Sequence, residues 1–363
     1  MDLHPAVLDE LDDLLRELLI DSNANRDELL HFVAGNLLDR TGLQRANVDA
    51  ALRELARQDV RHLLQLEVIV GVDAPTLSDL PLSVALKKDF FKSEGLNILE
   101  VLFRSGPTAM QALVSGSIQF STGFGTGIRA AMAGAPVKGI IGFNSKPAFI
   151  LYGRRESGIR SMADIKGKKI AVTGVGSTTD YAARAILTHH HIDPDKEATI
   201  LAVGSESVFA ALQKGAVDAA ILWAPGFAVA EKLGMVRLQS LADIMELPGS
   251  GVVVSDQLIK ENPLLIKRFL RGTLKGFQYL EDPRNRDEIV NSISKDFDLE
   301  PDIAATNYKF MLSILSKEGM ISRRAIENGI ELTRQRIKTT EPAAELAKKM
   351  YDFSLLEDVQ KGK

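Results

Sequence analysis

The sequence predicts an α/β fold in two halves, preceded by a small helical segment and ending in helices. Three observations predict it. Short apolar runs alternate with helical patterns from Leu66 to Trp223. Two turns rich in glycine and hydroxyls, one in each half, sit where an apolar run gives way to a helical one. The chain is 45% hydrophobic and 25% charged, which suits globular packing rather than disorder. Its 363 residues leave room for two or three domains.

Residues 1–65 stand apart. They hold seven arginines, no lysine and thirteen acidic residues, a net charge of −6 against −4 for the whole chain. Leu8, Leu11, Leu15, Leu18 and Leu19 form one helical stripe, Leu29, Leu30, Val33, Leu37 and Leu38 another, and Val48, Ala51, Leu52, Leu55 and Leu63 a third. Asn25 with Glu28 reads as a capping box and Gly42 as a stop. Part of this segment resembles the opening helices of phosphotransferase-system IIA domains, but no phosphoacceptor histidine segment follows; a packing or association unit is predicted.

From Leu66 the rhythm is βα. Strands are predicted at Leu66–Val72, Ile98–Phe103, Ile118–Ser121 and Val137–Phe143, with helices at Pro81–Glu94, Thr108–Ser115 and Arg129–Ala133 between them. The pattern restarts at Ala148–Tyr152 and runs through Ile170–Val172, Tyr181–His189, Thr199–Val203, Ser207–Lys214 and Ala219–Trp223. Units of this length imply parallel sheets covered by helices. Beyond about Ser255 the chain is predicted helical, with a strong amphipathic stretch at Leu258–Leu280 and at least two further helices between Glu300 and Met350.

Composition excludes several chemistries. Without cysteine there is no disulfide, zinc–thiolate site, iron–sulfur cluster or cysteine nucleophile. A net charge of −4 gives no electrostatic case for nucleic acid. No run of about 18 apolar residues is present, so no membrane insertion is expected. Gly174-Val-Gly176 opens like a dinucleotide fingerprint, but Thr179 stands where the third glycine belongs, and no acidic residue follows in frame. His189, His190 and His191 are consecutive on a helix and cannot all face one ion. No cofactor, metal or catalytic residue is predicted.

The turn from Thr173 to Thr179 places backbone N–H groups and the hydroxyls of Ser177, Thr178 and Thr179 at a helix start, where unpaired donors receive anions or polar groups. Its counterpart is Phe120-Ser-Thr-Gly-Phe-Gly-Thr-Gly127. Trp223, the one tryptophan, lies before Ala-Pro at a strand end, placed to stack on a ligand or to pack at a rim. Glu206 and Arg104 are weaker candidates for pairing with an amine and an anion.

Several runs resemble the solute-binding proteins of the nitrate/sulfonate/taurine type, a family that also includes thiamin-pyrimidine synthase-like proteins. These runs are PLSVALKKDFFKSEGLNI, GPTAMQALVSGSIQFSTG, ESGIRSMADIKGKKIAVTGVGSTTDYAARAIL, ALQKGAVDAAILWAP and MYDFSLLEDVQ, in unbroken order over residues 66–360. The resemblance implies a two-lobed periplasmic-binding-protein type II fold. Lobe I would comprise residues 66–145 plus 250–363, lobe II residues 146–249, and closure would be by a hinge. It implies a ligand site at Thr76 and Ser78, at Ser105, Gly106 and Thr108, at Gly123, Gly125 and Thr126, at Asn144 near the crossover, and at Gly176, Ser177, Thr178 and Thr179. The implied function is capture of a small polar or anionic organic ligand for delivery to an ABC transporter permease. The alternatives are a cytoplasmic ligand sensor and a thiamin-pyrimidine synthase-like enzyme; the fungal enzymes use a cysteine-rich iron-binding motif, which this chain lacks. The resemblance implies a periplasmic location. Residues 1–30 show no export signal, since Asp9, Glu10, Asp12 and Asp13 interrupt the leucines, so a cytoplasmic location is the alternative expectation.

Overall fold

The computed structural model describes residues 66–73, 76–337 and 339–362. The helical segment expected over residues 1–65 lies outside them. In chain order the main elements begin with β1 (Leu66–Val72), α1 (Leu80–Lys87), α2 (Phe90–Ser93), β2 (Leu96–Leu102), α3 (Gly106–Val114), β3 (Phe120–Ser121), α4 (Phe124–Met132) and β4 (Val137–Gly142). The second half comprises β5 (Phe149–Gly153), β6 (Lys169–Val172), α5 (Thr178–His189), β7 (Thr199–Ala202), α6 (Val208–Lys214), β8 (Ala219–Trp223), α7 (Gly226–Lys232) and β9 (Val236–Ser240). There follow β10 (Gly251–Ser255), α8 (Asp256–Glu261), α9 (Pro263–Glu281), α10 (Arg286–Asp296), α11 (Pro301–Ile314), α12 (Arg323–Ile337), α13 (Ala343–Met350) and α14 (Ser354–Gln360).

Two five-stranded sheets result, ordered β2-β1-β3-β10-β4 and β7-β6-β8-β5-β9. Parallel pairing joins β1 to β2 over seven residues, and β6 to both β7 and β8. The sheets are nonetheless mixed, not parallel throughout as the βα rhythm implied. β10 runs antiparallel between β3 and β4, and β5 runs antiparallel between β8 and β9. In each sheet the reversed strand is one whose partners are remote in sequence or reached by a long connection, which local periodicity cannot reveal.

Two helices predicted as single are broken. Within Pro81–Glu94, Asp89 adopts φ 55°, a left-handed conformation that aspartate tolerates better than most residues. Within Leu258–Leu280, Pro263 supplies no N–H to the helical ladder, so α8 ends and α9 begins there. Asn262 caps the new start by accepting from the Leu265 N–H at 3.0 Å.

The core is built from the inward faces of these elements. Phe269 on α9 stacks between Phe91 and Phe120, with ring centroids 5.0 and 4.0 Å away. Gly276 lets α9 lie directly against α1, for a methyl group there would strike the Pro81 carbonyl. A second cluster spans both halves. Leu80 and Val84 of α1 share it with Leu212 and Leu222 from the second half, and with Ile289, Ile293, Tyr308 and Met311 of α10 and α11. The C-terminal helices thus pack against both sheets and hold their strand ends face to face.

Candidate functional site

The strand ends converge on a cavity between the two sheets. It is lined by Asp73, Thr76, Ser78 and Asp79 after β1, Thr122 and Phe124 after β3, and Ala148 and Phe149 at β5. Thr173, Thr178 and Thr179 between β6 and α5, Trp223 at the end of β8, and Gly249 and Ser250 before β10 complete it. Its volume, about 50 Å³, suits a few water molecules. The halves meet in a closed arrangement. Leu77 N–H donates to the Ala224 carbonyl at 3.1 Å, and Ser205 N–H to the Arg104 carbonyl at 3.1 Å. An organic ligand of ordinary size therefore requires the halves to separate first.

Of the residues expected from the sequence, Thr76, Ser78, Thr178, Thr179 and Trp223 border this cavity. Thr76 Oγ1 accepts from the Ser78 N–H at 3.0 Å and donates to the Ala224 carbonyl at 3.4 Å. Ser105 and Thr108 are engaged at the start of α3: Ser105 N–H donates to Thr108 Oγ1 at 3.2 Å, and that hydroxyl donates to the Ser105 carbonyl at 2.7 Å. Gly106 lies beneath Asp73, where a Cβ would be 3.1 Å from Oδ2. Gly123 donates its N–H to Ser121 Oγ at 3.2 Å. Gly125 permits close approach of the halves, because a side chain there would meet Thr178. Asn144 is 1% exposed, and its amide donates to Ser250 Oγ at 3.1 Å.

At the start of α5, side chains of the turn engage part of its donor set. Gly176, at φ 76°, turns the chain and donates its N–H to Asp180 Oδ2 at 2.8 Å. Ser177 Oγ accepts from the Asp180 N–H at 3.2 Å, and Thr179 Oγ1 accepts from the Thr173 N–H at 2.9 Å. Of these donors the Asp180 N–H belongs to the first turn of α5, while the Thr173 and Gly176 N–H groups precede the helix. Ser177 is a buried cap, and Thr178 faces the other half. Arg104 and Glu206 do not border the cavity; Glu206 accepts from the Ser205 hydroxyl at 3.2 Å. His190 Nε2 pairs with Gln239 at 2.9 Å, and among the described residues no acidic, histidine or cysteine cluster is placed to hold a metal ion.

Arg129, absent from the sequence expectations, bridges the halves. Its guanidinium donates to Thr126 Oγ1 at 3.3 Å, to the Gly176 carbonyl at 3.4 Å and to Thr178 Oγ1 at 3.2 Å. It also lies 4.0 Å from the centroid of the Tyr181 ring. Thr126 thereby serves the bridge rather than the cavity.

The cavity's charge comes from two carboxyl groups that sequence reasoning also passed over. Asp79 is 8% exposed. Burial pushes its carboxyl well above the usual range, and the neighbouring Asp73 adds to the shift, with Glu100 a smaller contributor. Asp73 keeps some accessible surface because it faces the cavity, yet protein atoms surround it. That loss of water raises its carboxyl to about 6, against the lowering pull of a backbone hydrogen bond and of Arg129.

The fold is shared with two-lobed ligand-binding proteins. The alkanesulfonate-binding protein SsuA of Xanthomonas axonopodis pv. citri superposes with a TM-score of 0.65 at 18% identity, covering 78% of this chain and 98% of that one. The family model described as NMT1/THI5 like matches residues 78–285, and the chain belongs to that family. The riboflavin-binding protein RibY of Chloroflexus aurantiacus is 26% identical over 218 residues, 56% of this chain and 58% of that protein. The taurine-binding periplasmic protein of Escherichia coli is 28% identical over 205 residues, 53% of this chain and 61% of its own length. The chain thus spans less than two thirds of either relative. No helix among the described residues is long and apolar enough to cross a membrane.

Proposed function

We propose that this chain is a solute-binding protein that captures one small organic ligand between two lobes and presents it to the permease of an ABC importer. The observation that carries the reading is the cavity between the sheets, walled by residues of both and bridged by Arg129. Lobe I is taken as residues 66–145 plus 250–363, and lobe II as residues 146–249. Within the cleft, Thr76, Ser78, Thr178, Thr179 and Trp223 touch the ligand. Ser105, Gly106, Thr108, Gly123, Gly125, Thr126, Asn144, Gly176 and Ser177 shape the walls behind it. Delivery to a permease places the protein on the outer face of the cytoplasmic membrane, in the periplasm for a cell with two membranes.

Opening exposes the cleft, the ligand bridges the walls, and closure is favoured by contacts that only the closed state makes. Calorimetric titration of the purified protein with small organic solutes tests the reading. Saturable binding at one ligand per chain, with the compound recovered unchanged, is the expected result. A bound compound that is consumed would replace it with an enzymatic reading. Substituting Trp223→Ala or Thr178→Val is expected to weaken a genuine cleft ligand, and an unchanged affinity in both would move the site elsewhere.

A further inference from the structure

The polar atoms around the cavity are unevenly divided between donors and acceptors. Asp79 Oδ1 is buried and accepts no hydrogen bond among the described residues, and Asn144 Oδ1 and Thr122 Oγ1 are likewise unpartnered. Thr122 and Ser250 lie near enough to act on the Asp79 charge, but neither makes a well-formed bond to that oxygen. Apart from the Thr122 hydroxyl, two nearby donors are committed. Ser250 Oγ donates to the Ser78 carbonyl at 2.7 Å, and Thr76 Oγ1 to the Ala224 carbonyl. Among the described residues no lysine or arginine lines the cavity. Arg129 stands behind Thr178, already bound to Thr126, the Gly176 carbonyl and Tyr181.

We infer that the cleft takes a ligand with a positively charged, hydrogen-bond-donating nitrogen group, an amine, an amidine or a protonated amino-heterocycle, which Asp79 and Asp73 receive. The inference rests on the binding reading above and names the chemistry of its ligand. A cation supplies the donors that the buried oxygens lack. It also favours ionisation of the two acids, which their burial and mutual repulsion oppose, whereas an anion would oppose it further in a site poor in water. Phe124, Phe149 and Trp223 provide aromatic surface on which a planar cation can stack. Burial of the acids outweighs the partners they have in the free protein, and both carboxyl groups are accordingly shifted toward their neutral forms.

The experiment uses size-matched probes of opposite charge: benzamidine and benzylamine against benzoate and benzenesulfonate, each titrated into the full chain by calorimetry. The cations are expected to bind and the anions not. Asp79→Asn is expected to weaken benzamidine by about tenfold or more, the effect of one charge-assisted hydrogen bond. The same variant is expected to melt no lower than wild type, which separates lost binding from lost folding. Benzamidine affinity should also tighten as pH rises through about 6, where Asp73 ionises; Asp79, Glu100 and Arg129 are the other charged groups acting on this pair. Binding of the anions alone overturns the charge assignment while leaving the solute-binding reading standing. Binding of benzamidine that survives both Asp79→Asn and Asp73→Asn also overturns it. Absence of binding by all four probes overturns the charge assignment as well, and leaves the solute-binding reading to the wider titration described above.

Discussion

Two acids and one arginine set the character of this cleft. A carboxyl group whose pKa is raised by folding favours the folded state in its protonated form. Its contribution is full below the ordinary value of 3.8 and is lost as pH rises through the folded value, about 6 for Asp73. The unliganded protein is therefore expected to melt at a higher temperature near about pH 5 than near about pH 7.5, and Asp73→Asn should reduce that difference, Asp79 supplying the rest. Surface carboxylates held low by their partners, such as Asp282 at about 2 beside Arg284, act in a separate and more acidic window. A flat profile in the wild type would show that Asp73 is as well solvated as in the unfolded chain. Arg129 is expected to resist conservative replacement. Lysine keeps the charge but loses the planar group that reaches Thr178 and the Gly176 carbonyl together while lying on Tyr181. Arg129→Lys should thus weaken ligand binding nearly as much as Arg129→Ala. The hydroxyls and glycines of the site were legible because turns at strand ends have a compositional signature. Asp73 and Asp79 flank the nominated Thr76 and Ser78, yet aspartate is ordinarily exposed, and only tertiary packing reveals that these two are enclosed. Arg129 was hidden for the same reason, since its partners lie about 50 residues further along the chain.

At the level of elements, the packing of α9 on α1 and β3 is the joint that positions the acidic turn after β1. Gly276→Ala inserts a methyl group against the Pro81 backbone, which cannot yield without moving α1. A loss of about 1–3 kcal/mol in denaturant unfolding is expected. Phe269→Ala removes the ring stacked between Phe91 and Phe120 and is expected to cost about 3–5 kcal/mol in the same measurement. If Gly276→Ala unfolds at the wild-type midpoint, the close contact of the two helices does not exist in solution. The apolar runs at Leu66–Val72 and Val137–Phe143 announced their strands, and the break at Pro263 was written in the residue itself. The run Val252-Val-Val254 carries an equally clear strand signal once Gly251 and Ser255 are taken as its bounds. Its antiparallel place between β3 and β4 depends on partners more than 100 residues away, which no local pattern encodes. The Val236–Ser240 strand was less visible, because arginine and glutamine interrupt its apolar residues.

Taken whole, the molecule is two sheets whose strand ends face each other across a small acidic cavity, tied by C-terminal helices that pack on both. The two-lobed class was legible from the βα rhythm and the order of family-like runs, whereas the ligand's charge was not. Hydroxyl-rich turns read equally well as a site for anions or for cations until the burial of Asp73 and Asp79 is known. The closed arrangement of about 50 Å³ implies that binding is coupled to opening and closing, and Arg129 holds the closed halves together through Thr178 and the Gly176 carbonyl. Trp223 is the single tryptophan in the chain and stands in the cavity wall; because it also borders a second pocket beside Phe209, Pro225 and Phe297, its emission is read together with the Thr178→Val variant, which alters the cleft and not that pocket. The most direct measurement is a fluorescence titration, excited selectively at tryptophan, run beside calorimetry on the same ligand. A saturable change in Trp223 emission at the same dissociation constant as the heat signal is the predicted result. Heat of binding with no change in that emission would contradict the account and put the ligand site outside the cleft.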